Sequence, residues 1–452
     1  MASISLRLAA IVVGASLASF LIGCGGHEAR TLKFRTALDE GQPRLAIHAI
    51  NEELEVDTDK DLPKDIAGDN ALLVLDRASV QQSLAQFPGS QRDFEAADKA
   101  IDMLDLARNA GDSIGEYVFS GSSGRYSAPP YEKLLINTLN MINYLERGDL
   151  NGARVEARRL SVMQAYIANQ LKEPDNAILG LGGFLAGFTS EMSGNTDEAL
   201  RYYDEALAFS GYNSLHEPAR ALVQAGSFKS PRLTALASDE PLLAATEKTG
   251  EGEIVVVVGY GRVPHKISNR IPIGLALTLF ANDIHPGDAA AANKLAAQGL
   301  VTWINYPTLA PGQGSYATPA CSVDGRFVQL EEAVDISSQV RLEWHKIEGK
   351  IVASAITRLI ARLLVGEGIQ QASGKGSVIG FIASLVAQGT LTALDTPDTR
   401  SWETLPARVA ITRIRVPAGK HKVHLDARGV SRTQEIDVKP GGWQLVSLMA
   451  LR

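Results

Sequence analysis

Cys24 is the residue whose surroundings prepare chemistry most completely. The small Gly23 precedes its thiol, and residues 8–22 form an uncharged apolar run with Arg7 as the only charge before it. Small side chains admit a signal peptidase between Gly23 and Cys24, and the thiol is a nucleophile able to accept a lipid. Several acyl chains, at about 0.8 kcal/mol per buried CH2, make a lasting anchor. The run itself is shorter than the roughly 20 residues that cross a bilayer. Other candidates for chemistry lack the required spacing. Gly259-Tyr260-Gly261 has Pro264 where a third glycine of a dinucleotide loop belongs, and no helix pattern follows. Gly374-Lys375-Gly376-Ser377 fails the phosphate-loop spacing, with Ile369 at the first glycine position. His421 and His424 are three apart on an expected strand, hence on opposite faces, a poor metal pair. No HExxH pattern occurs. Cys321 is expected to be a buried, inert thiol, and most carboxylates to lie on solvated helix faces. The expectation is of no catalytic residue, no metal and no cofactor.

Leu21-Ile22-Gly23-Cys24 resembles the bacterial lipobox. Gly at position 25, instead of Asp, resembles sorting to the outer membrane of a two-membrane cell. With Cys24 lipidated, Cys321 stands as the second of two cysteines, so no intramolecular disulfide is expected. The formal net charge of −7 and the lack of a basic tract exclude the electrostatic footprint of a nucleic-acid binder.

Residues 31–230 follow a helical pattern that recurs. In the best unit, residues 183–209, Gly187 precedes Ala199, Tyr203 and Ala206, with Gly194-Asn195 as the turn. Small residues at such positions let two antiparallel helices approach closely. The unit resembles a tetratricopeptide repeat, and three weaker echoes have turns at Gly41, at Pro88-Gly89 and at Gly148-Asp149. An array of this kind is expected to offer a concave groove. Residues 121–130 read as a loop, and Pro231, Pro241 and Gly250 mark 231–252 as a linker to a second domain, 253–452. There residues 253–258 (EIVVVV) read as a strand buried on both faces, and 351–364 as an amphipathic helix. The uncharged stretch 377–394 reads as a core helix, with a pore or membrane-seated hairpin as its sharper alternative. Alternation and Gly/Pro turns from 407 onward predict antiparallel strands. The fold class expected is α+β: a helical-repeat domain, then a mixed domain ending in antiparallel strands.

Asp398-Thr399-Arg400-Ser401-Trp402-Glu403-Thr404-Leu405-Pro406 resembles the ADxRxWxTLP signature of a family of uncharacterised Gram-negative lipoproteins with helical repeats. The lipobox and residues 131–159 and 259–266 agree, so the resemblance runs through most of the chain. Pro397 departs from the family's usual alanine. The resemblance implies envelope work, since such genes neighbour lipoproteins similar to penicillin-binding-protein activators. Asp398, Arg400 and Trp402 share a face if the segment is extended, and are expected to lock the last helix to the terminal sheet. The function expected is that of a periplasm-facing, outer-membrane scaffold holding a protein or peptide partner, other lipoproteins included. The competing classes are an envelope enzyme acting on peptidoglycan or glycan, and a component of a secretion or pore assembly.

Overall fold

The computed structural model describes residues 26–66, 68–103, 126–171, 178–238, 250–297, 303–312, 316–373 and 397–452. Gly23, Cys24, residues 377–394, residues 239–249 of the expected linker and residues 121–125 of the expected loop lie outside them. The described chain is mixed α+β, with antiparallel strands near its C-terminus.

Helical hairpins come first: α1 (His27–Asp39) with α2 (Pro43–Glu53), then α3 (Asp69–Ser83) with α4 (Phe87–Ala100). After the two-residue parallel pair β1 (Asp102–Met103) and β2 (Ser127–Ala128) follow α5 (Pro130–Glu146) with α6 (Leu150–Tyr166). Next come α7 (Ile178–Met192) with α8 (Thr196–Phe209), and α9 (Asn213–Ala225) with the short α10 (Pro231–Ser238). Local sequence sets the breaks. Gly194, at φ +76°, turns the chain between α7 and α8, and Asp149 caps α6 by accepting a hydrogen bond from the Gly152 amide at 2.9 Å. Close approach explains Gly187: a Cβ there would lie 2.4 Å from the Tyr203 ring. Pro88-Gly89 does not form the turn expected of it. Pro88 stands in the first turn of α4, where its missing N–H costs nothing, and the reversal falls just before it with Ala85 at φ +57°. The segment read as linker also has structure at both ends. Leu233 of α10 is fully buried, Ser230 caps that helix through the Leu233 amide, and a strand begins at Glu251.

The strands make a two-layer sandwich. One sheet has the order β12-β3-β9-β8, from β3 (Glu251–Tyr260), β8 (Glu331–Asp335), β9 (Arg408–Pro417) and β12 (Trp443–Ala450). The other has the order β11-β10-β6-β7, from β6 (Ala320–Val323), β7 (Arg326–Val328), β10 (Gly419–Ala427) and β11 (Val430–Val438). β10 and β11 form a hairpin whose two turn residues, Arg428 and Gly429, both have positive φ, as a tight turn matched to strand twist requires. The C-terminal strands are not a simple meander. The turn at Ala418 passes the chain from one sheet to the other, and β12 returns to lie parallel to β3.

β3 explains the layering. Ile254, Val256 and Val258 point into the core between the two sheets, whereas Val255 and Val257 point into a core shared with the helices. A run without polar alternation is what a strand covered on both faces needs. The first helix of each later hairpin lies on this sheet: α3 and α5 against β12, α7 against β8, α9 against β9. The inner side of the helical array is therefore filled by the chain's own strands, and one hydrophobic core runs from Phe34 through Trp402 to Leu451.

A smaller lobe completes the structure. The antiparallel pair β4 (Lys266–Pro272) and β5 (Trp303–Leu309), with α11 (Ile273–Leu279) and α12 (Pro286–Ala297), packs its own core on α13 (Ile336–Ser373). The amphipathic helix expected at 351–364 is the middle of α13, with Val352, Ala355, Ile356 and Leu359 buried. Among the described residues no helix is long and apolar enough to cross a membrane.

Candidate functional site

The segment 398–406 runs along the seam between helices and sheet. Asp398 and Arg400 pair with each other, Arg400 donating through Nε at 2.9 Å and Nη2 at 2.7 Å. Burial alone would raise Asp398, but Arg400 and the charge of Lys266 hold it below the usual range. Trp402 is 1% exposed and meets the Phe94 ring edge-on at 5.8 Å. Its indole N–H is shared between Ser79 and Thr404, each at 3.2 Å. Leu405 is buried in the shared core, its carbonyl accepting from the Val263 amide at 3.0 Å, and Pro406 packs beside Gly259. The expected lock is thus present, but its partner is the N-terminal helical layer; the reach of Trp402 across to α3 and α4 decides this.

Around the segment lie carboxylates that the sequence reading assigned to solvated faces. Asp76 is fully buried, and its Oδ1 accepts from the amides of Glu403 and Thr404 at 3.2 and 3.0 Å and from the Thr404 hydroxyl at 2.8 Å. Burial outweighs these donors and pushes Asp76 up to about 7. Glu132 accepts from Tyr126 Oη at 2.7 Å and from the Trp402 amide at 3.3 Å, and burial again pushes it to about 7. Glu403 is raised well above its ordinary value by burial, despite Arg35 Nε at 3.0 Å and the Thr31 hydroxyl at 3.1 Å. His265 contacts Arg35; burial and the charges of Arg35 and Arg262 lower it to about 3, leaving it neutral. These groups come from α1, α3, α5, the 261–266 segment and 398–406, which the fold gathers along one line.

A cleft opens above Glu132. Tyr126, Tyr131, Lys266, Glu343, Trp344 and Trp402 are among its lining residues, and its volume is about 30 Å3. Lys266 Nζ stands 5.8 Å over the Trp344 ring. Aromatic walls, a carboxyl that titrates near neutrality and an ammonium would suit proton transfer to a sugar or amide. The volume, however, matches one water molecule's share of the liquid, far below a ligand pocket of roughly 300–1,000 Å3. As it stands the cleft fits a bridging water.

Two further polar locks cross the same seam. Arg413 of β9 reaches Glu191 of α7 at 2.7 and 2.8 Å, Glu253 of β3 and the Tyr203 hydroxyl, and lies 5.1 Å from the Phe188 ring centre. Arg432 of β11 and the Ser447 amide and hydroxyl all converge on Glu146 at the end of α5, each at 2.6 Å. Sequence reasoning named Tyr203 only for helix packing and Glu253 only as the head of a strand, and gave none of these residues a part in a lock. The available signal was a charge inside an apolar run: Asp76-Arg77 within residues 71–80, and Glu132-Lys133 at the start of α5.

The remaining sequence candidates are dispersed. Cys321 is buried on β6, and burial pushes its thiol up to about 11. His421 is buried and bridges Asp324 and the Pro417 carbonyl, whereas His424 is exposed on the other face. Gly259-Tyr260-Gly261 ends β3 and leads into an extended segment. Among the described residues no cluster of three or more His, Cys, Asp or Glu side chains is placed to hold a metal ion. No family model and no curated protein matches the chain.

Proposed function

We propose that the protein is a lipoprotein, anchored through acylated Cys24 in the outer membrane and facing the periplasm, whose body is a scaffold for an envelope protein or peptide. The observation that carries the scaffold reading is the seam. Trp402, Arg413 and Glu146 use their polar groups to join helices to sheet, and the cleft above Glu132, where the buried carboxylates gather, is only water-sized. Partner binding then falls to the outer helices, because the inner side of the array is occupied by the sheet. On α6, Val155 and Val162 are 45% and 71% exposed, and their seven-residue spacing puts them on one stripe. Two exposed valines flanking Arg158 and Arg159 on an outer helix suit an amphipathic helix or an extended peptide laid beside them.

Photocrosslinking residues placed at Val155 and at Val162 in living cells, followed by mass spectrometry, test this reading. The expected result is one envelope protein captured from both positions and absent from a control at Phe327, on the far sheet. Different proteins from the two positions, or equal capture at Phe327, would overturn it. An enzyme site at Glu132 requires the cleft above it to widen enough for a sugar ring; release of fragments from purified peptidoglycan, abolished by Glu132→Gln, would favour that reading over the scaffold.

A further inference from the structure

The small lobe leaves three large apolar side chains exposed. Leu275 and Leu279, one turn apart on α11, are 47% and 62% exposed, and Trp303 is 48% exposed. Trp303 begins β5 directly opposite Pro272, itself exposed. The exposed Arg270 lies two residues back along β4 and so shares the strand face of Pro272. A tryptophan, two leucines and an arginine at one edge are the side chains that settle at a membrane interface, apolar parts in the acyl boundary and the guanidinium at the headgroups.

The root of the chain's N-terminus lies on the same lobe. Glu28, in the first turn of α1, accepts the Ser268 amide of β4 at 2.9 Å, and its own amide donates to Thr399 at 3.2 Å. Cys24 is three residues before His27, a reach of at most about 10 Å. From Ser268 to Pro272, four residues of strand cover about 13 Å. Ser268, Arg270 and Pro272 alternate onto one exposed face that leads from the anchor's root to Trp303. We propose that the Leu275–Leu279–Trp303 face rests on the lipid surface that the acyl chains of Cys24 enter, fixing the orientation of the body on the membrane. This rests on the anchored reading above. A second copy of the chain is a poorer occupant, since a stable dimer buries about 800 Å2 per partner, more than four side chains expose. A tethered lipid contact needs far less area, because the anchor already supplies a high effective concentration.

The test uses the full-length protein in phosphatidylethanolamine–phosphatidylglycerol vesicles, with or without bromine on the acyl chains. Of four tryptophans, Trp344 and Trp402 are buried and Trp443 is partly buried, so bromolipid should quench Trp303. The expected result is a loss of about a quarter of the emission on brominated vesicles, abolished by Trp303→Phe and at least halved by a Leu275→Ser, Leu279→Ser pair. Quenching that is absent, or indifferent to Trp303→Phe, overturns the proposal. So does a dimer in detergent that Trp303→Phe dissolves when no quenching is seen. The mass of the N-terminal peptide reports the anchor separately. An unacylated peptide sinks the anchored reading, and Trp303-dependent quenching of that same protein would still support the lipid-facing side.

Discussion

Glu132→Gln should make the protein less sensitive to rising pH. In the folded chain Glu132 titrates at about 7, against an ordinary value of 4.5, because burial disfavours its charge more than Tyr126, Lys266 and the Trp402 amide favour it. A carboxyl whose folded pKa lies above its unfolded one holds an extra proton in the folded state. Its contribution to stability is therefore greatest at low pH and declines as pH climbs from about 4.5 through 7. The full gap corresponds to about 3 kcal/mol, most of which falls between pH 5 and pH 8. Glutamine keeps the shape of the neutral acid: its carbonyl can accept from the Trp402 amide and its NH2 can donate to Tyr126. His265 has the opposite sign, its depressed pKa weakening the fold as pH falls toward 3, but it is common to both proteins and cancels in their difference. Urea unfolding of wild type and variant at pH 5 and pH 8 should show the variant gaining about 2–3 kcal/mol on wild type across that interval. A difference constant to within about 0.5 kcal/mol would show that Glu132 is ionised throughout, and the account of the buried seam would be wrong.

Three more outcomes follow from the same seam and core. Trp402→Ala should cost about 3–5 kcal/mol by emptying the space between Phe94 and the sheet, read as a lowered urea midpoint; a loss under about 1 kcal/mol would place the side chain outside the core. Arg413→Ala leaves Glu191 and Glu253 facing each other without their shared cation and should cost about 3–5 kcal/mol, with Arg413→Lys recovering only part because it cannot fork to both carboxylates. Cys321 should resist a thiol reagent at pH 8 in the native protein, since burial holds it near 11, and react as a single thiol in denaturant if Cys24 carries the proposed acyl group; two reactive thiols would contradict the acylation.

What the sequence made legible was set by local chemistry. The run at 253–258 shows its two covered faces by lacking polar alternation, Gly194 and Gly148 show the hairpin turns, and Gly429 shows the β-turn, because each residue type is demanded by its own backbone or neighbours. The Trp402 lock was readable as a lock but not as to its partner, since residues 76, 94 and 132 are brought to it only by the tertiary fold. Pro88-Gly89 misled because proline suits a helix's first turn as well as a loop. The buried carboxylates misled most. Asp76 and Glu132 have the residue type of a solvated face, and only the converging donors from 402–404 and Tyr126 make their burial tolerable. The parallel return of β12 beside β3 leaves no local mark, for a strand's partner is chosen by packing at a distance of nearly two hundred residues.

The anchor is the claim on which location, orientation and partner all depend. Cells grown with radiolabelled palmitate and then fractionated test it most directly, comparing wild type with Cys24→Ser. The account predicts label on the wild-type protein in the outer-membrane fraction, and an unlabelled variant that leaves that fraction. Wild type without label, or a Cys24→Ser protein that keeps it, would contradict the account.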